Sequence, residues 1–333
     1  MSADPRLEEA RAFLAKAGWG LAALRPLAGD ASDRRYFRLS LGRKRAVLMD
    51  APPGKGDDPA DFLKISDHLH RLHLSAPQAI AKDTANGFLL LEDFGDGVFA
   101  RLVANDPNQE LPLYKAAVET LLHLQRHAAP AGLPDLSAKD WAEAAMFAPR
   151  FYAAAILGQE PNHAPLQTAV ETALRRHADG PRVLILRDFH AENLIWLPRR
   201  QHLRRVGLLD FQLGQMGQPA YDLVSLLQDA RRDVSAETET ALCAMFGQDD
   251  PGFAAAYAVL GAQRALRIIG IFARLCLHGG KPGYLPLIPR VWAHLQRNLA
   301  HPALSDVAKA SAILPPPTEE NLQRIARQCA RHP

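Results

Sequence analysis

Residues 183–227 read VLILRDFHAENLIWLPRRQHLRRVGLLDFQLGQMGQPAYDLVSLL, and this stretch decides the fold. An apolar run over 183–186 enters a polar loop and leaves through a second apolar run over 193–197. A basic turn, PRRQHLRR, leads to a third apolar run that ends at Asp210. Asp188 and Asn193 thus stand at opposite ends of one loop, spaced D-x-x-x-x-N. Short polar side chains at strand ends, joined by hairpin connections, converge on a small volume. A carboxylate and an amide carbonyl are the hard oxygen donors that Mg²⁺ takes beside waters and phosphates. A second carboxylate, kept off the metal, can orient an attacking hydroxyl and accept its proton. Phosphoryl transfer asks a protein mostly for such positioning and charge neutralisation. An isolated D-x-x-x-x-N is ordinarily a loop with local side-chain-to-backbone bonds. Asp210 at the end of the next apolar strand, with GQPAYDLVSL just beyond, argues for chemistry.

The chain around this segment has 333 residues, which favours two lobes over one core. Hydrophobic residues make up 48% and charged residues 23%, ordinary values for a globular protein. A net charge of +3 suits an anionic ligand such as a nucleotide and is too small to argue for nucleic acid. Cys243, Cys276 and Cys329 form no CxxC pattern and read as reduced thiols. The opening MSADPRLEEARAFL carries acids early and has no apolar stretch of a signal peptide. The longest greasy segment, 268–277, is broken by Arg274, so no membrane span and a cytoplasmic location are expected.

Toward the N-terminus, Asp4-Pro5 predicts a helix start, and Leu7, Ala10, Phe13 and Leu14 follow at helical spacing to a stop at Gly18. Three strand signals come next, LRPLA, YFRLS and RAVLMD, joined by the turns GDASDR and LGRK. Phe62, Ile65, Leu69 and Leu72 predict a helix, and strands follow at 78–81 and 88–92. After EDFGDG the pattern is mostly helical, beginning with 114–127. The expectation is an α+β fold with a small antiparallel-sheet lobe over residues 1–93 and a larger helical lobe over 94–333.

LRDFHAENL, LLDFQ and GQPAYDLVSLL resemble the aminoglycoside phosphotransferase family, and LLLEDFGD resembles its interlobe hinge. The likeness covers nearly the whole chain in element order and implies a protein-kinase-like two-lobed fold. It implies Asp188 as catalytic base, Asn193 and Asp210 as Mg²⁺ ligands, and Asp222 as a brace for the catalytic loop. An acid early in a helix also suits the helix dipole, and Asp222 fits that reading as well. ASDRRYFR, VLMDAPP, GAQRALRIIGIFARL and GKPGYL are similar to the bacterial anomeric N-acetylmuramate/N-acetylglucosamine kinases. That branch implies ATP and Mg²⁺ as cofactors and a sugar hydroxyl as acceptor, in cell-wall recycling. An aminoglycoside or other small-metabolite phosphotransferase is the alternative on the same machinery. A non-catalytic nucleotide-binding scaffold is the alternative of a different class.

Two positions depart from the pattern. Leu186 stands where the loop usually opens with His. Met49 stands where the third strand carries a lysine to the phosphates, and the helix over 61–73 lacks the glutamate that would pair with it. Losing both together is consistent, because a buried partner charge left alone is costly. Arg34 and Arg35 beside the GDASDR turn are the candidate replacements, with Gly29 and Ser32 of that turn as a backbone cradle. Strand alternation sets Arg34, Tyr36 and Arg38 on one face and Arg35, Phe37 and Leu39 on the other. Phe37 is a candidate cover for the adenine, and Glu92 and Phe94 belong to the hinge at its edge. On the acceptor side, Arg264, Arg267 and Arg274 share a helical stripe that is either solvated or a wall suited to a carboxylated sugar. Tyr284 is a candidate for stacking on a sugar ring. His190 and Glu192 flank the loop and are candidate acceptor contacts.

Overall fold

The computed structural model describes residues 4–27, 34–56, 58–248 and 250–330. The expected phosphate cradle at Gly29 and Ser32 lies outside the described residues. The chain divides into two compact units, each built from separate stretches. The first is Met1–Ala131 with Leu186–Gly214, and the second is Gly132–Ile185 with Gln215–Pro333.

In the first unit, α1 (Pro5–Lys16) begins where the Asp4 carboxylate accepts the Arg6 N–H, with Pro5 in the first turn. Five antiparallel strands follow, β1 (Ala23–Pro26), β2 (Arg35–Leu41), β3 (Lys44–Asp50), β4 (Ala79–Asp83) and β5 (Phe88–Glu92), in the order β1-β2-β3-β5-β4. Between β3 and β4 runs α2 (Pro59–Arg71), capped by Asp58 and burying Phe62, Ile65 and Leu69 as its spacing predicts. One sheet face and α1 share a core of Phe13, Leu14, Trp19, Leu39, Leu48 and Phe88. The helices α3 (Phe99–Asn105) and α4 (Glu110–Gln125) come after the β5 end. The segment 114–127 expected as a helix is thus the main part of α4.

The second unit holds α5 (Ala138–Ala145), α6 (Ala154–Leu157), α7 (Ala164–His177) and β6 (Val183–Ile185). The chain then returns to the first unit for β7 (Leu194–Trp196) and β8 (Val206–Leu208), an antiparallel hairpin. Back in the second unit come β9 (Gln215–Gly217), α8 (Ala220–Leu227), α9 (Ala236–Gly247), α10 (Phe253–Leu277), α11 (Ile288–Leu299), α12 (Ser305–Ala310) and α13 (Glu319–Ala326). The first apolar run of the decisive segment therefore does not join the β7–β8 hairpin. It is β6, and it pairs with β9, a strand whose polar sequence QMG gave no apolar signal.

Among the described residues α10 is the one helix long and apolar enough to cross a membrane, and most of its apolar window is buried within the protein. Its Arg274 is exposed and its Gly270 lies against the backbone of Phe147, where a Cβ would come within 2.1 Å of the Phe147 carbonyl carbon. So close an approach belongs to a helix packed inside the protein.

The first unit also carries a buried ionic knot. Arg35 and Asp50 are directly opposed across β2 and β3, so their side chains share a face. The Asp50 carboxylate is fully buried. It accepts from Arg6 Nε at 2.8 Å and from Arg35 Nε and Nη2 at 2.9 and 2.7 Å. Arg6 lies 3.8 Å over the Phe88 ring, and Arg35 Nη1 reaches Asp4 at 2.6 Å. One carboxylate thus ties α1 to the middle of the sheet. Asp50→Ala should lower the unfolding free energy by about 2–4 kcal/mol in urea titration. That is below the full value for an orphaned buried charge, because both guanidinium groups retain access to water.

Candidate active site

The loop after β6 is set by backbone bonds within itself. The Asp188 N–H donates to the Leu186 carbonyl at 2.9 Å around Arg187, whose φ is +69°. A three-residue turn of this kind is strained for a side chain as large as arginine. The loop closes when Asn193 Nδ2 donates to the Asp188 carbonyl at 2.9 Å and the Asn193 N–H donates to His190 O at 2.8 Å. Asn193 therefore spends its amide hydrogens on the loop and keeps its Oδ1 as an open acceptor. Asp188 is half-buried, His190 is buried and Glu192 is exposed.

The β7–β8 hairpin brings Asp210 beside this loop. Leu194 pairs with Leu208, and one step further the Leu209 N–H donates to Asn193 O at 3.0 Å. Asp210 follows at φ +55°, an uncommon conformation for a residue with a Cβ. Its Oδ1 accepts from Arg34 Nη2 at 3.0 Å and from Gln212 Nε2 at 2.9 Å. Its Oδ2 takes no hydrogen bond within the described residues. The next residue, Phe211, is fully buried and stacks on Phe62 of α2 at 4.8 Å between ring centres. The oxygens left open, Asn193 Oδ1 and Asp210 Oδ2, are hard donors, so the residues present fit Mg²⁺. No cluster of three His, Cys, Asp or Glu occurs among the described residues. A metal here would complete its shell with phosphate and water oxygens, as Mg²⁺ prefers.

The strand alternation separates the neighbouring arginines. Arg34 is buried and meets Asp210. Arg38, two register steps along, reaches the hinge, with Nε 2.9 Å from Asp93 Oδ2 and Nη1 2.8 Å from Asp96. Arg35 turns to the other face and is committed to Asp50 and Asp4. Phe37 shares that face and packs against the cluster containing Phe13 and Leu14. The structure brings Arg34 to Asp210 and does not bring Arg35 or Phe37 there. Met49 is buried in β3 opposite Tyr36 and Leu89.

The hinge is held by the β7–β8 hairpin. Trp196 N–H donates to Gly97 O at 2.7 Å. A Cβ on Gly97 would lie 2.6 Å from Trp196 O, and one on Gly207 would lie 2.8 Å from the Phe94 ring. Arg200, in the hairpin turn, pairs with Glu92, donates to Ser75 Oγ at 2.7 Å and lies 4.9 Å over the Phe94 ring. The Glu92 and Phe94 side chains are therefore engaged inside the unit. Arg38, Arg200 and Gln212 are the contributors that sequence reading missed. The alternation from Arg34 points to Arg38, and Gln212 is part of LLDFQ, but nothing local marks Arg200.

In the second unit Asp222 is fully buried in the first turn of α8. Arg264 is buried, and its Nη2 donates to Ser225 Oγ at 2.8 Å. It lines a water-sized gap together with Gln228, Ile268 and His294. Burial pushes the His294 imidazole down to about 4 and raises the nearby Asp229 carboxyl above its usual range. Arg267 is half-buried, and Arg274 is exposed over the rings of Phe147 and Phe151 at 5.9 and 5.8 Å. The three arginines share a helical stripe but not an environment. Tyr284 rests on Phe272 at 5.3 Å between ring centres.

Sheet, hairpin and loop together define a protein-kinase-like phosphotransferase. The chain belongs to the phosphotransferase enzyme family, whose model matches residues 23–257. An N-acetylmuramate/N-acetylglucosamine kinase from Caulobacter vibrioides is 38% identical over 347 residues, covering 89% of this chain and 93% of that protein. One from Pseudomonas aeruginosa is 30% identical, covering 95% and 98%. A choline/ethanolamine kinase family protein from Mesorhizobium loti, 17% identical, has the same fold with a TM-score of 0.63 over 97% of this chain and 99% of that one.

The two adjacent arginines should respond differently to truncation. Arg34→Ala should raise the nucleotide KM by about 10- to 100-fold, the worth of a lost charge-assisted contact. Arg35→Ala should leave that KM within about twofold and instead lower the unfolding midpoint. Steady-state kinetics paired with thermal melts separates the two effects, and a reversed pattern would remove Arg34 from the nucleotide site.

Proposed function

We propose that the protein is a kinase that transfers the γ-phosphoryl group of ATP, with Mg²⁺, to the anomeric hydroxyl of N-acetylmuramate or N-acetylglucosamine. The observation that carries this reading is the pair of open oxygens, Asn193 Oδ1 and Asp210 Oδ2, just beyond the paired end of the β7–β8 hairpin, beside a half-buried Asp188. The names of relatives at 30–38% identity over most of the chain supply the acceptor. In this reading residues 1–93 carry the nucleotide, and 94–333 carry the catalytic loop and the acceptor contacts.

Bound Mg²⁺ would supply charge neutralisation of the phosphates, held by Asn193 and Asp210. Asp188 orients the sugar hydroxyl in line with the γ-phosphorus and accepts its proton as the new P–O bond forms, the bond to the β,γ-bridging oxygen breaks and ADP leaves. Arg34, shared with Asp210, supplies the positive charge that Met49 does not. An anomeric hydroxyl is more acidic than an ordinary sugar alcohol, so it needs less assistance from the base. Asp222 is assigned to support the catalytic loop. Arg264, Arg267, Arg274, Tyr284, His190 and Glu192 are the candidate acceptor contacts.

Asp188→Asn should lower kcat by about 10²–10⁴-fold, the usual worth of a positioned general base, with little change in nucleotide affinity. Asp210→Asn should instead abolish the Mg²⁺ dependence of nucleotide binding in calorimetric titration. The opposite assignment of the two effects would overturn these roles.

Phosphorus NMR of the product tests the acceptor position. A sugar 1-phosphate is expected, methyl glycosides should be inert, and aminoglycosides should be poor acceptors. A 6-phosphate, or turnover of a methyl glycoside, rules out anomeric transfer.

A further inference from the structure

Two of the three cysteines meet in the second unit although 53 residues separate them in the chain. Cys276 lies in the last turn of α10 and is fully buried. Cys329 follows α13 and is half-buried. The Cys329 thiol donates to the Cys276 carbonyl at 3.0 Å, and the Ala330 N–H donates to the same carbonyl at 2.9 Å. The Cys329 thiol is also one of the neighbours that raise the Cys276 thiol above its usual range. Both residues lie beyond the part of the chain that the family model matches.

The segment that brings Cys329 to α10 is lightly fastened. The only buried side chain of α13 is Ile325. Beyond it, the attachments are polar. Gln328 Nε2 donates to Ala155 O at 2.7 Å, and Arg324 Nη1 reaches Ile156 O at 3.5 Å. A covalent link at the cysteine pair would therefore add more to this end of the chain than its apolar burial does. Ring closure over a loop of this length restricts the unfolded chain strongly.

We propose that Cys276 and Cys329 are a disulfide-forming pair that closes when the chain meets a low-molecular-weight disulfide such as oxidised glutathione, locking the C-terminal segment onto α10. Cys329, the accessible thiol, loses its proton and attacks one sulfur of the reagent. A Cys329–glutathione mixed disulfide forms and one glutathione leaves. Cys276 then gives its proton to solvent and attacks the Cys329 sulfur, expelling the second glutathione. Two protein thiols are oxidised and one reagent disulfide is reduced to two thiols, so electrons and protons balance. Burial and the neighbouring thiol hold the Cys276 thiol up at about 12, which makes it a slow second nucleophile and the closure a slow step.

The test equilibrates the full chain in glutathione buffers of graded oxidised-to-reduced ratio, followed by alkylation, intact mass and peptide mapping. The expected product is two hydrogens lighter, with the Cys276 and Cys329 peptides linked and Cys243 still alkylated. Its apparent unfolding midpoint should rise by about 5–10 °C and fall back on reduction. Cys329→Ser should lose both the link and the rise, while its midpoint under reducing conditions stays within about 2 °C of the parent. A stable glutathione adduct on Cys329 at equilibrium, a link through Cys243, or three free thiols under oxidising conditions would each overturn the proposal.

Discussion

The candidate site depends on the register of a hairpin of two three-residue strands. Pairing Leu194 with Leu208 and Trp196 with Val206 places Asn193 and Leu209 opposite each other at one end. At that end the backbone bond from Leu209 to Asn193 delivers Asp210 to the edge of the loop that carries Asp188. A slip of one residue would change which residue leaves the paired end beside the loop, and Asp210 would no longer follow directly from it. The hairpin is pinned by what it touches. Gly97 and Gly207 permit approaches that any Cβ would block, and Arg200 binds the turn to Glu92, Ser75 and Phe94. Hinge and loop are therefore parts of one packed body in the first unit.

Charge in that unit is partitioned by strand geometry. Four arginines, Arg6, Arg34, Arg35 and Arg38, meet Asp4, Asp50, Asp93, Asp96 and Asp210. The pleat sends Arg35 to the α1 side and Arg34 to the loop side. The first set is structural and joins α1 to the sheet through a fully buried carboxylate. The second set leaves a cation against a carboxylate that retains an open oxygen. Met49 is buried in β3, and the cation beside Asp210 comes from Arg34, just before β2.

Much of this was legible in the sequence. The helix start at Asp4-Pro5 follows from capping chemistry, and the strands of the sheet follow from apolar residues between turn formers. The spacing of Asp188, Asn193 and Asp210 pointed to the site directly. Less legible was β9, a polar three-residue strand that pairs with β6 across a long excursion of the chain. The stripe of Arg264, Arg267 and Arg274 was visible by helical projection, yet one end is buried against Ser225 and the other is exposed over two aromatic rings. Projection gives an angle around one helix and not the neighbours that cover it.

The sequence by itself determined the class of fold, the loop that carries Asp188 and Asn193, and the strand end that carries Asp210. Those features are local: they rest on periodicity, turn chemistry and capping, all written in neighbouring residues. Only the tertiary structure decided that Arg34 and not Arg35 meets Asp210, that Arg6 shares Asp50, that Arg200 holds the hinge, and that Cys276 touches Cys329. Each of these joins residues far apart in the chain. Such contacts depend on strand register and helix docking, which minimise buried unpaired charge and apolar exposure over the whole fold and leave no signature at either position alone.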